Sequence, residues 1–195
     1  MALDASSLKL QVYSVMLSAS PLCTNPVTVF SSATPTEVDF LATPTLGAGN
    51  PPDGTYECVI IKMSDLIKFT PSATGGTCVA AQEYTADVCR TDNGGTTQAP
   101  DTPGAPSNCN GTDPALLSDR VHLYLKTNVT AGGGGQTFLQ PTSTTSTNGL
   151  RLTSPLVIAR TASSKFSVNA TGAVSGANPT GCGMNPPTCG FYKLP

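Results

Sequence analysis

The sequence predicts an all-β protein, an antiparallel β-sandwich with long disulfide-tethered loops. Three observations carry that prediction. With 19 Gly and 17 Pro in 195 residues, no window of helical length escapes interruption, because Pro lacks a backbone donor and Gly favours turns. Short apolar stretches alternate with period two between clusters of turn residues, the pattern of many short strands. Seven cysteines stand beside a single His with no Cys-x-x-Cys pair. That excludes zinc-ribbon, zinc-finger and thioredoxin-like sites, and points to disulfides formed in an oxidising compartment.

The first strand is read at 8–18, "LKLQVYSVMLS". Leu8, Leu10 and Val12 alternate, then Val15 and Leu17 take the opposite parity, so the strand needs either a bulge near Tyr13 and Ser14 or burial on both faces. "NPVTVF" (25–30) and "TEVDFLA" (36–42) follow as short strands, and "PTLGAGNPPDG" (44–54) as a loop. In "PPDGTYECVIIKMSD" (51–65), Tyr56, Cys58 and Ile60 point one way while Val59, Ile61 and Met63 point the other. A strand apolar on both sides is central, so its second face must be covered by the Cys-rich middle, a crossing strand or a neighbouring subunit. "DLIKFTP" (65–71) continues or returns from it, and "EYTADVC" (83–89) reads as a further strand.

The stretch "RTDNGGTTQAPDTPGAPSN" (90–108) is almost pure turn chemistry, and "DPALLSDR" (113–120) is the one short helix candidate. "RVHLYLKTNV" (120–129) alternates cleanly, with Val121, Leu123 and Leu125 opposite His122, Tyr124 and Lys126; that predicts a sheet with one wet surface. "TFLQ" (137–140) lies between low-complexity connectors, and "LRLTSPLVIAR" (150–160) and "SKFSVNATG" (164–172) supply later strands. The tail "GCGMNPPTCGFYKLP" (181–195) reads as a Cys-closed loop and a last strand. The expectation is one sandwich domain over 1–195 with a Cys-containing loop insertion at about 72–114, built from roughly nine to eleven strands.

For the cysteines, Cys182 with Cys189 is the favoured pair, because "GMNPPT" between them makes a turn. Cys89 with Cys109, or Cys78 with Cys89, would tether the middle region, and Cys23 with Cys58 would border the first hairpin. An odd count leaves one thiol unpaired or intermolecular. A bridge closing about 20 residues contributes on the order of 3 kcal/mol by restricting the unfolded chain.

Charge excludes one class of partner. Lys, Arg, Asp and Glu make up 11% of the chain, the net charge is −2, and the ten basic residues form no run, whereas nucleic-acid binding needs clustered cations. No stretch reaches the length of a membrane-spanning helix. The start "MALDASSLKL" has neither a basic n-region nor a long apolar run, so secretion would rest on a leader absent from this chain.

"VDFLATPTLG" followed by "PPDGTYECVIIKMSD" resembles a signature of bacterial surface lipoproteins, in which a Val-Asp-Leu-Leu strand precedes a Pro-Ala-Gly-Thr-Tyr turn and a buried strand. The resemblance covers about 8–70. It implies a prealbumin-like (transthyretin-like) sandwich of the prealbumin/Ig-like class and a bacterial envelope or extracellular location, in a family with no assigned enzymatic activity.

Candidate chemistry is sparse. His122 is the only imidazole, and no Gly-x-Ser-x-Gly elbow or phosphate-cradling Gly loop is present. Asp92, Asp101 and Asp113 lie in an acid-rich stretch and offer hard oxygen ligands, so calcium is the one cofactor considered; no regular Asp spacing supports it. Tyr13, Tyr56, Tyr84, Tyr124 and Tyr192 are the aromatic contacts open to a glycan, in a chain without Trp. Asn110, Asn128 and Asn169 head Asn-x-Thr triplets of the kind expected by chance in so Thr-rich a chain.

The reading is a non-enzymatic extracellular or cell-surface structural protein, a self-assembling filament or surface-layer type of subunit. Its partners would be itself or other envelope proteins, with Leu8, Leu10, Val12, Val15 and Leu17 on the strand to be shared. The alternative is an adhesin or carbohydrate-binding module acting through the loop at 91–114.

Overall fold

The computed structural model describes residues 1–42, 51–88, 120–127, 137–159, 164–177 and 181–193, and among them there is no helix. β1 (Ala2–Leu3) and the long β2 (Ala5–Ser18) are followed by β3 (Val27–Ser31), β4 (Glu37–Asp39), β5 (Gly54–Tyr56), β6 (Cys58–Ser64), β7 (Leu66–Pro71) and β8 (Tyr84–Asp87). Then come β9 (Arg120–Lys126), β10 (Leu150–Arg151), β11 (Leu156–Ile158), β12 (Ser164–Asn169), β13 (Val174–Ser175), β14 (Gly183–Met184) and β15 (Thr188–Lys193).

β2 organises an eight-stranded sheet. Its C-terminal half pairs antiparallel with β6 on one side and β3 on the other; its N-terminal half pairs with β7 and β4. β6 and β7 are therefore one ribbon interrupted at Asp65, so "DLIKFTP" continues the preceding strand. The next layer outward repeats the arrangement. β9 pairs β6 with Ser64 opposite Arg120, and β8 pairs β7 with Leu66 opposite Asp87. The chain between β8 and β9 leaves and returns at the level of Asp65, whose carbonyl accepts Val88 N at 3.0 Å. Residues 72–88, expected to open the insertion, are built into the fold.

The parity slip in β2 is a bulge. Val12 faces Met63 and Ser14 faces Lys62, so two residues of β2 oppose one step of β6 and Tyr13 is the extra residue. This returns Val15 and Leu17 to the face already holding Leu8, Leu10 and Val12, and all five belong to one core. Val59, Ile61 and Met63 join it from β6, with Val121 and Leu125 from β9. Each such side chain taken out of water contributes about 1.5–3 kcal/mol.

β2 does not present an open edge. Both of its sides are bonded within the chain over the segment holding Leu8, Leu10, Val12, Val15 and Leu17. Lending it to a neighbour would require exchanging four pairings, not adding one.

Two other expectations are corrected. The second face of β9 is dry: His122 is 1% exposed, and Tyr124 and Lys126 are 0% exposed. Cys182 bonds Cys78, 104 residues away, and Cys189 carries no disulfide. The reason is topological. β14, just after Cys182, pairs with β13 in the small sheet of β1, whereas Cys189 lies in β15 opposite Val168 of β12. "GMNPPT" thus carries the chain between sheets instead of folding back on itself. With Cys78 committed, the Cys78–Cys89 pairing is also removed; Cys89 and Cys109 lie outside the described residues. Cys23 is joined to Cys58, with a Cα–Cα distance of 5.3 Å.

Near the second disulfide, two stretches of backbone touch. Thr77 N donates to Gly176 O at 3.0 Å, and Gly76 holds φ +59°. A Cβ at Gly176 would fall 2.0 Å from Gly75 O, so glycine is required by contact there.

Candidate functional site

The side of the sheet expected to be wet is the most polar interior in the described protein. Cross-strand register stacks three rows there: Ser18, Cys58 and Lys126; Met16, Ile60 and Tyr124; Ser14, Lys62 and His122. Cys23, Cys58, Ile60 and Tyr124 form a second buried cluster with Met16 against it. β6 is apolar on both faces because each face meets its own core.

Two segments cover this side. The first follows β2 and is pinned by the Cys23–Cys58 bond. Ser18 Oγ donates to Thr24 O at 2.5 Å, and Cys23 takes φ +58°, a left-handed conformation costly for a residue with a Cβ. The second is a strap over 137–149. Tyr124 N donates to Thr137 O at 3.3 Å, and Lys126 Nζ donates to Ser146 O at 2.7 Å. Gln140 Nε2 donates to Leu22 O at 3.2 Å, tying the two covers together, and Asn148 Nδ2 closes the strap on Gln140 O at 3.0 Å. Gly149, at φ +90°, ends the strap against Tyr124, whose carbonyl oxygen would stand 3.1 Å from any added Cβ.

The electrostatics follow from burial. Desolvation pushes the Lys126 ammonium below its ordinary value near 10.5, since the charged form loses water; the Ser146 carbonyl accepts from it. His122 stacks obliquely near Tyr124, with ring centroids 6.3 Å apart. Arg120 sits at the rim with its guanidinium carbon 4.4 Å from the centre of the Tyr13 ring, a cation–π contact. Asp65 is 2% exposed at the point where the chain leaves for the long excursion and returns.

On the opposite core, burial raises the Cys189 thiol to about 12, so it stays protonated and unreactive at neutral pH. Among the described residues, two ion pairs lie partly exposed at the surface. Lys9 bonds Glu83 at 2.6 Å and Lys68 pairs with Glu37. Glu83 raises the pKa of Lys9 and is itself lowered by Lys9, an exposed pair of little energetic weight.

Among the described residues no group of three or more His, Cys, Asp or Glu is placed to hold a metal ion. Asp92, Asp101 and Asp113 lie outside them. The tyrosines considered as glycan contacts are largely committed. Tyr124 is interior, Tyr56 Oη donates to Pro52 O at 2.8 Å, and Tyr84 stacks on Phe69 at 5.8 Å while its hydroxyl accepts Val79 N. Tyr13 is held under Arg120; the Tyr192 side chain lies outside the described residues. Asn169 Oδ1 accepts Thr171 N at 2.9 Å, a turn-forming contact.

Sequence reasoning missed the strap and its Lys126 fastening. The available signal was a cation in strict alternation with Tyr124, followed by the charge-free Ser/Thr-rich stretch at 141–149. Among the described residues no helix is long and apolar enough to cross a membrane. No protein-family model, curated protein or solved structure matches the chain.

Proposed function

We propose that this chain is a non-enzymatic extracellular or cell-surface structural protein of the bacterial envelope, a self-assembling filament or surface-layer type of subunit on a prealbumin/Ig-like β-sandwich. One observation carries the reading: the side chains with the greatest chemical reactivity lie in the interior. His122 and Lys126 are buried, Lys126 is fastened to the strap through Ser146 O, and the Cys189 thiol is buried and protonated. Two disulfides strengthen the same framework and suit an oxidising environment. The residues that resemble the surface-lipoprotein signature also work structurally. Asp39 Oδ1 accepts from Leu8 N and Leu41 N, fixing β4 against β2.

The test is oxidised, secreted full-length protein studied by light scattering and negative-stain microscopy across a concentration series. Oligomers or ordered arrays are the expected result. A 19.8 kDa monomer at every concentration, with specific binding on a glycan array with or without calcium, would replace assembly with recognition.

A further inference from the structure

We infer that the outer edge of β3 is the surface through which two copies of this chain join, each β3 adding antiparallel to the other across a two-fold axis. The inference rests on the self-assembly reading and names the place where it acts.

An edge strand presents a row of backbone donors and acceptors, and natural proteins guard such rows with charges, especially Lys. The eight-stranded sheet has four outer strands: β3, β4, β8 and β10. Three of them are guarded. β4 carries Glu37 and Asp39, with Glu37 paired to Lys68; β8 carries Asp87 and follows the Glu83–Lys9 pair; β10 carries exposed Arg151. β3 is not. Its sequence, Val-Thr-Val-Phe-Ser, lies in a run from Leu10 to Thr36 without one charged residue.

β3 is also open. Val27 is 46% exposed, Thr28 and Ser31 are exposed, and only Val29 and Phe30 turn toward the core. Its inner side is paired to β2 from Ser14 to Leu17. Such an edge accepts an extended strand by main-chain bonds.

Charge chooses the occupant. A two-fold contact brings the same patch against itself, so at β4 it would set Glu37 of one copy against Asp39 of the other. At β3 it opposes only Val, Thr, Phe and Ser, β-favouring residues that pair well across strands. A second copy of β3 therefore fits without like-charge repulsion, and the sheet continues through both molecules.

Thr28→Lys and Ser31→Lys each place an ammonium on both sides of the proposed contact while leaving the buried side of β3 intact. Scattering mass is followed against concentration, with melting temperature and disulfide mapping as folding controls and Val79→Thr, at an exposed valine outside β3, as a control for surface substitution. Wild type and Val79→Thr should rise from 19.8 kDa toward or beyond twice that mass. The Lys variants should need about tenfold more protein for the same rise. If wild type assembles and both folded Lys variants assemble identically, the β3 contact is wrong while self-assembly stands. If wild type stays monomeric throughout, both ideas fall. Should one Lys variant misfold, the other decides.

Discussion

Replacing Lys126 by Met and by Ala separates the charge of this side chain from its bulk. Its stem is wholly buried and its ammonium donates to Ser146 O at 2.7 Å. Met keeps most of the stem. It loses a charge-assisted hydrogen bond, about 1.5–3 kcal/mol, and removes a desolvation cost of several kcal/mol for a buried cation. The two nearly cancel, with the balance toward Met, so Lys126→Met should be as stable as wild type or about 1 kcal/mol more stable at neutral pH. Lys126→Ala also removes the stem and leaves a void beneath the strap, a cost of about 2–5 kcal/mol.

pH adds a second signature. The folded pKa of Lys126 lies below its ordinary value near 10.5, so between the two values the unfolded chain binds the extra proton. Stability then rises with pH across that window and is lower beneath it, where the buried amine must be charged. Lys126→Met should abolish this rise. Urea unfolding of the three proteins from pH 7 to pH 10.5 reads both effects. A Met variant destabilised by more than about 2 kcal/mol with an unchanged pH slope would refute the reasoning. So would wild-type Lys126 reacting with an amine reagent as fast as surface lysines.

The two bridges predict different losses. On loop length, 104 residues for Cys78–Cys182 and 35 for Cys23–Cys58, the paired Ala variants should lose about 4.7 and about 3.8 kcal/mol, the second with an added packing loss beside Ile60 and Tyr124. A Cys78→Ala/Cys182→Ala melting temperature within a few degrees of wild type would deny that bridge, and non-reducing peptide mapping should find Cys89 with Cys109, the two thiols left for each other. Cys189 should resist thiol reagents until the protein unfolds. Because its folded pKa rises from 9.0 to about 12, the unfolded thiol ionises first, so stability falls with pH across that interval; Cys189→Ala should flatten the fall. Gly176→Ala forces a Cβ to 2.0 Å from Gly75 O and should cost more than about 2 kcal/mol, read as a lower melting temperature; an unchanged one would mean the backbones do not touch.

Much of the sheet is legible in the sequence because period-two alternation is local. The bulge at Tyr13 could be read from a parity change between Val12 and Val15, and the double burial of β6 from Cys58, Ile60 and Val59, Ile61. What could not be read depends on long-range partners. Whether the His122, Tyr124 and Lys126 face is wet depends on a strap 11 to 23 residues downstream of Lys126, and alternation says nothing about what will lie across it. Turn chemistry between Cys182 and Cys189 favoured a local bridge, yet strand pairing sends the two cysteines into different sheets. Proximity in sequence lost to topology.

The same topology says where this protein can change without losing its fold. The two disulfides secure opposite ends of β2: Cys58 lies beside Ser18, and Cys78 follows the strand that pairs Pro71 with Ala5. Between them, the bulge at Tyr13 and the break at Asp65 mark a bend, and the chain between β8 and β9 departs and returns there. Both flanking strands are held in fixed register by β6 and β7. Loop-closure cost grows only slowly with length, so residues in this excursion can be altered or lengthened while the ribbon keeps its pairing. The proposed contact through β3 would use the other side of β2, away from that excursion, so the contact could stay constant while the residues between β8 and β9 vary.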